Sequence, residues 1–489
     1  MSNPVQNLEP KAVWQHFYSL TQIPRPSKKE GRIIEFMKNF GHSLGLETIV
    51  DEVGNVMIRK PATPGMENRK GVILQAHLDM VPQKNSDKVH DFEKDPIEPQ
   101  IDGEWVKANG TTLGADNGMG VAAIMAVLAA KEIEHGPVEG LFTIDEESGM
   151  TGAFNLQPNI LKGDILLNLD SEDEGELYIG CAGGVDGNFE FPFKKVAPEQ
   201  GTIAYKINIS GLKGGHSGLD IALGRGNSCK ILTRLLWHGV HKHQLRLSSL
   251  EAGNMRNAIP REGYAIVTIP EKEKANFEKC LPDFAATIKA ELSVTEPGLQ
   301  ITAAPVAMPD FLMDEDTQNR MLRAVYGCPN GVIRMSDAME GLVETSTNLS
   351  IVRTEGETVK VICLLRSSVN SAKKDLTVMM GSIFELAGAK VEFEGEYPGW
   401  KPNPDSAILK TMQQVYNNRF GKIPEIKAIH AGLECGLLGA VYPNWDMISF
   451  GPTIRYPHSP DEKVNIASVD KFWIYLKETL KNVPANPVA

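Results

Sequence analysis

The chain has 489 residues, 42% of them hydrophobic and 23% charged, with a formal net charge of −12. Such a length exceeds one ordinary core and predicts two or three domains, and the acidic balance argues against a nucleic-acid-binding surface. The six cysteines are scattered with no CxxC pair, which speaks for a reducing compartment and against a disulfide framework or a thiolate zinc site. Residues 1–10 carry neither a basic nor an apolar leader pattern, and no run is apolar enough to span a membrane. A cytoplasmic location is therefore the expectation.

A first helix is predicted over about 10–22, with Val13, Trp14, Phe17 and Leu20 on one side. Ser27 and Glu30 have capping-box spacing for a second helix striped by Ile33, Ile34, Met37, Phe40 and Leu44. Two short strands follow, around 47–51 and 56–59. Gly71–Met80 then opens as an apolar run, Val72-Ile73-Leu74, of the kind that fills a buried strand, and ends in His77 and Asp79. Residues 83–113 read as a polar excursion. Next come a glycine-rich turn around Asp116 and an apolar segment, 121–130, that predicts a buried helix. A strand over 140–144 runs into Asp145-Glu146-Glu147, and a strand over 165–169 ends in Asp170. Alternating helices and strands of this kind predict an α/β fold with a mostly parallel sheet.

The small-residue stretch 179–184 reads as a linker. Beyond it, from 185 to 399, strands are longer and alternating, which predicts an inserted α+β domain. A Pro-rich return near 397–404 leads back to the first domain, so residues 1–184 and 400–489 form one unit and 185–399 the other. The final part predicts a helix from about 405, strands near 425–429 and 446–450, and a helix near 466–481, with His458 in the loop before it.

His77, Asp116, Glu147, Asp170 and His458 are two imidazoles and three carboxylates at predicted element ends. Taken singly, each has an ordinary alternative, such as a capping histidine, an N-cap aspartate or a solvated acidic run. Together they are the donor mix that holds zinc, manganese or cobalt. A bridging carboxylate would leave two pairs of ligands for two divalent ions, an arrangement that activates a shared water and polarises a carbonyl. Glu146, beside Glu147, is then free to act as general base, and Asp79 can orient the His77 ring.

His77-Leu-Asp79, Gly114-Ala-Asp-Asn-Gly118, Asp145-Glu-Glu-Ser-Gly149, Asn168-Leu-Asp170 and Tyr456-Pro-His458 resemble, in order, the motif set of the M20 metallopeptidases. Within that family the pattern is similar to the aminoacyl-histidine dipeptidases over nearly the whole length. The resemblance implies a zinc-peptidase catalytic domain with an inserted lid domain. Asp116 would bridge the two metals, with a cis peptide to Asn117. His77 and Asp170 would complete one site, Glu147 and His458 the other. Glu146 would be the general base and Asp79 the orienter. The metals would be zinc first, with cobalt or manganese as alternatives. His216, in Gly214-Gly-His-Ser-Gly218, would stabilise the oxyanion; its plain alternative is a turn histidine.

Three further residues stay open. Arg366 is a clamp for a substrate carboxylate or a surface salt bridge. Asn257 is a substrate contact or a turn cap. Glu434 faces the substrate amine or is a structural acid at a helix N-terminus. The triplet His238, His241 and His243 has no matching carboxylates nearby in sequence and reads as surface. The implied activity is hydrolysis of unblocked dipeptides, Xaa-His among them, by a monomer or homodimer. A tripeptidase, an N-acyl amino acid deacylase and a catalytically silent metal-binding scaffold are the rivals.

Overall fold

The structure, a computed structural model, describes residues 3–486. It divides into two compact units. One comprises the chain up to Gly180, Pro402–Ala428 and the chain from Leu433; the other comprises Cys181–Lys401 and Ile429–Gly432.

The first unit is built on an eight-stranded sheet. Its strands are β1 (Glu47–Val50), β2 (Val56–Lys60), β3 (Val72–His77), β4 (Val138–Thr143), β5 (Ile165–Asn168), β6 (Glu176–Cys181), β7 (Glu425–Ile429) and β8 (Asp446–Ser449). In space they run β1-β2-β4-β3-β5-β8-β6-β7. The four central strands are parallel, with His77 opposite Thr143, Gln75 opposite Asn168, and Ser449 opposite Asn168. The flanking pairs β1–β2, β2–β4 and β8–β6 are antiparallel, so the sheet is mixed where a mostly parallel one was expected. For β1 and β2 the physical reason is their short connection. The turn at Gly54-Asn55 can join only antiparallel strands, whereas parallel neighbours need a long crossover.

β3, β4 and β5 are buried along their whole length, as strands covered on both faces must be. Helix α1 (Lys11–Thr21) buries Val13, Trp14, Phe17 and Leu20, and α2 (Gly31–Ser43) buries Ile33 and Met37. Helix α3 (Ala115–Ala129) is buried nearly all round, which explains its lack of a polar face. The expected capping box at Ser27 and Glu30 does not form. The Ser27 hydroxyl instead donates to Asp79 at 2.7 Å, and Glu30 accepts the N–H groups of Lys28 and Asp145. The stretch 83–113 also contains a hairpin, Pro99–Asp102 with Trp105–Ala108, which pairs onto Lys463–Asn465.

The second unit is a nine-stranded antiparallel sheet. Along its main path the strands are 300–306, 202–210, 263–270, 246–252, 343–355, 358–367, 183–192 and 390–397, with 331–335 pairing onto 343–355. Helices Ser228–His243, Glu315–Gly327 and Asn370–Leu386 contribute to its core, where Phe189 stacks on Phe384 at 3.8 Å between centroids. The stretch 179–184 is not a linker: it lies within β6 and the strand 183–192. Its residues are small because the chain passes close by. A Cβ at Gly183 would meet the backbone of residues 397–399, and one at Gly184 would lie 2.7 Å from the Tyr397 ring.

Candidate metal centre and substrate-binding residues

The parallel strands of the first unit end on one edge of the sheet, the edge where open α/β sheets present ligands. His77 is the last residue of β3. Asp145-Glu146-Glu147 follows β4, Asp170 follows β5, and the loop after β8 carries His458. Asp116 joins them from the start of α3, where its φ/ψ (−82°, 107°) is non-helical and its peptide bond to Asn117 is cis. The N-cap position of that helix is Gly114, which has no side chain to cap it.

The five sequence-predicted ligands come together. Asp116 Oδ1 lies 3.0 Å from His77 Nε2, and Asp116 Oδ2 lies 3.2 Å from His458 Nε2. Asp170 Oδ1 is 3.3 Å from His77 Nε2, and Glu147 Oε2 is 2.9 Å from His458 Nε2. Two groups, His77–Asp116–Asp170 and Asp116–Glu147–His458, each bring their donor atoms within 4.8 Å of one another and share Asp116. Glu146, His77 and Glu147 also lie within that span.

The electrostatics fit cations. Burial, with Asp116 and Glu147 nearby, lifts Asp170 to about 6. Burial, with Asp116 and Asp170, lifts the neighbouring Glu172 to about 8. Glu146 is raised well above the usual carboxylate range by burial and by Asp170, Glu434 and Glu147. Hydrogen bonds to Asp116 and Glu147 raise His458 to about 11. Acids this close and this buried are costly without positive charge. Glu147 Oε1 is buried with no hydrogen-bond partner among the described residues, and such an orphaned oxygen suits coordination of a Lewis acid. The residues present therefore fit two divalent ions.

The surroundings hold these groups in place. Asp79 Oδ1 is 3.3 Å from His77 Nδ1 and also accepts Glu146 N–H at 3.0 Å, while Oδ2 accepts Glu147 N–H at 3.2 Å. Burial opposes its charge, but these bonds prevail and hold its carboxyl at about 2. Two groups here, Arg25 and Glu462, escaped sequence reasoning, and a third, Ser27, was read only as a helix cap. Buried Arg25 donates to the carbonyls of Leu78, Asp79 and Gly114. Gly114 has φ +70°, and a Cβ there would lie 2.6 Å from Arg25 Nη2, so glycine is required on both counts. Buried Glu462 accepts the N–H groups of Leu113, Gly114 and Asp116. Its only sequence signal is its place four residues after His458.

Glu434 begins the helix Glu434–Val441. Its Oε2 accepts from Gln75 at 2.7 Å and Thr143 at 2.9 Å, and its Oε1 is buried without a partner. Burial, together with Asp170, lifts it to about 7.

In the second unit, His216 pairs with Ala258 in a two-residue strand pair, and Asn257 accepts Ser217 N–H through its carbonyl while its side chain is exposed. His216 Nδ1 accepts the N–H groups of Gly218 and Leu219. That fixes the proton on Nε2, and burial with Arg366 nearby keeps the ring neutral. Arg366 is buried, 4% exposed, and is bound by the Tyr397 and Ser217 hydroxyls. Its Nε has no partner, and it makes no ion pair among the described residues, which removes the surface salt bridge. Ser217, Tyr397 and His430, whose Nε2 bonds the Ser346 hydroxyl at 2.7 Å, were not anticipated.

Residues 73–482 match the model of peptidase family M20/M25/M40. The chain belongs to this family: it is a metallopeptidase, a hydrolase acting on peptide bonds. It is 46% identical over 481 residues to the cytosol non-specific dipeptidase of Escherichia coli (strain K12), with 98% of this chain and 99% of that protein covered. The crystal structure of the aminoacylhistidine dipeptidase from Vibrio alginolyticus is 49% identical and matches with a TM-score of 0.95, covering 99% of this chain and 98% of that one. An aminopeptidase from Bacillus cereus, 16% identical with a TM-score of 0.62 over 97% and 99% of the two chains, shares the fold. Among the described residues no helix is long and apolar enough to cross a membrane.

Proposed function

We propose that the chain is a dipeptidase of the cytoplasm that hydrolyses unblocked dipeptides, Xaa-His among them, using two divalent metal ions, zinc first. The observation that carries this reading is Asp116, whose two carboxylate oxygens each face a different imidazole, His77 and His458. The names and the high identity of the E. coli and Vibrio relatives support the substrate class.

His77 and Asp170 would hold one ion, Glu147 and His458 the other, and Asp116 both. When bound, such a pair lowers the pKa of a water and polarises a substrate carbonyl. Glu146 takes a proton from the attacking water and returns it to the leaving nitrogen. Its burial among acids suits this task, because a base with a raised pKa can also act as the acid that follows. Asp79 fixes the tautomer of His77, so that Nε2 is the ligating nitrogen. Glu434, with one free buried oxygen, pairs with the substrate ammonium. In the second unit, His216 offers an Nε2–H donor for a developing oxyanion, Arg366 takes the substrate carboxylate, and Asn257 contributes a further polar contact.

The test is a substrate panel (β-Ala-His, Gly-His, Leu-Gly, an N-acetylated amino acid and a tripeptide) on metal-stripped protein with and without added Zn²⁺, Mn²⁺ or Co²⁺. The expected outcome is metal-dependent cleavage of the unblocked dipeptides only. Cleavage of the blocked substrate would make it a deacylase, and preference for the longer one a tripeptidase. Metal binding without any cleavage would make it a silent scaffold.

A further inference from the structure

Of the three histidines read as surface from the sequence, one is buried and one half-buried. His243 is 7% exposed and His238 half-buried, both near the end of helix Ser228–His243; only His241 is exposed, bonded to the Trp237 carbonyl. Half-buried Cys280, from helix Lys274–Glu291, meets them, with its Sγ 3.2 Å from His238 Nε2. One donor atom from each of His238, His243 and Cys280 lies within 4.8 Å of the others. The carboxylate that the local sequence lacked comes from the turn before the second helix: Glu273 Oε2 sits 3.4 Å from His243 Nδ1. His243 Nε2 is buried and has no hydrogen-bond partner among the described residues.

The geometry points to a metal site in the second unit, a His–His–Cys set for a zinc-like divalent cation, separate from the carboxylate-rich centre of the first unit. Two imidazoles and a thiolate suit a borderline-soft ion, and three protein ligands leave a fourth tetrahedral position to water. A carboxylate on the far nitrogen of a histidine is the usual support of a metal-bound ring, because it fixes the tautomer and raises ligand basicity. Glu273 holds the Nδ1 of His243 in this way and leaves Nε2 to ligate. Burial disfavours ionisation of Cys280, so loading releases the thiol proton, as a coordinating ion requires. The bound ion would tie the end of one helix to the next.

The experiment uses full-length protein, metal-stripped and reloaded with Co²⁺. Wild type should hold one equivalent more than Cys280→Ser and show a near-ultraviolet thiolate-to-cobalt absorption that the variant lacks, with peptide hydrolysis alike in both. Glu273→Gln should loosen this ion about ten- to a hundredfold. The carboxylate-rich centre contains no cysteine, so its failure to bind would leave the thiolate signal in place. Equal cobalt content in wild type and variant, with no thiolate absorption, would overturn the proposal and leave a hydrogen bond between two helices. Should the variant not fold, wild-type Cys280 decides. Its alkylation by iodoacetamide should slow at least tenfold when Zn²⁺ is added, and an unchanged rate would overturn the site.

Discussion

Glu462 accepts the backbone N–H of Asp116 at 3.1 Å across 346 positions of sequence, and takes the N–H groups of Leu113 and Gly114 with its other oxygen. The loop that carries His458 thereby also sets the turn that carries Asp116. Burial, with Asp116 close by, lifts the Glu462 carboxyl to about 7. In Glu462→Gln an amide would face a backbone donor, which leaves a buried group unpaired at about 1–3 kcal/mol. The expected result is a lower unfolding midpoint and weaker binding at both proposed metal positions, because Asp116 would serve both. Unchanged metal affinity would show that the turn holds its shape without this acid.

Adjacent acids should separate by role. Glu146→Gln is expected to lower kcat by at least about 10²–10⁴-fold with two metal equivalents retained. Glu147→Gln should lose metal as well as activity. Metal analysis beside steady-state kinetics checks both, and equal metal loss in the two variants would make Glu146 a ligand.

Asp79 supports four partners at once: the His77 ring, the Ser27 hydroxyl and the N–H groups of Glu146 and Glu147. Asp79→Asn should cost about 10–100-fold in metal affinity or activity. Zinc titration against a competing chelator measures the affinity directly.

Arg366 is buried with an unpartnered Nε. Replacing its planar fork by a point charge, Arg366→Lys, should raise KM about tenfold with a smaller change in kcat, because the proposed bidentate recognition of the substrate carboxylate would be lost. A dipeptide amide, which lacks that carboxylate, should be indifferent to the change.

Stability should fall in mild acid through His430. Burial, then Arg366 and His216, depress this ring to about 3, against about 6.5 in an unfolded chain. Below about 6.5 the unfolded state binds a proton that the folded state does not, so the stability is full above that pH and is lost progressively as pH falls towards 3. Between pH 7.5 and 5 the loss is about 2 kcal/mol. Urea unfolding at the two pH values measures it, and His430→Gln should flatten that part of the dependence.

Local sequence determined the elements and the candidate ligands. The apolar runs of β3, β4 and β5 and the periodic stripes of α1 and α2 were legible because burial imposes a short repeat on neighbouring residues. The positions of His77, Asp116, Glu147, Asp170 and His458 were legible because polar residues of metal-binding type stand out where apolar runs end. Tertiary structure decided what depends on approach from afar. The glycines at 183 and 184 looked like a linker until the backbone of residues 397–399 came beside them. Ser27 looked like a helix cap until Asp79 offered a better acceptor. Arg25 carries no local signal and Glu462 only its nearness to His458, since a charged residue in a loop is ordinary until the carbonyls and N–H groups it satisfies are brought to it. His238 and His243 looked superficial because Cys280, some 40 residues away in sequence, is placed against them only by the packing of two helices.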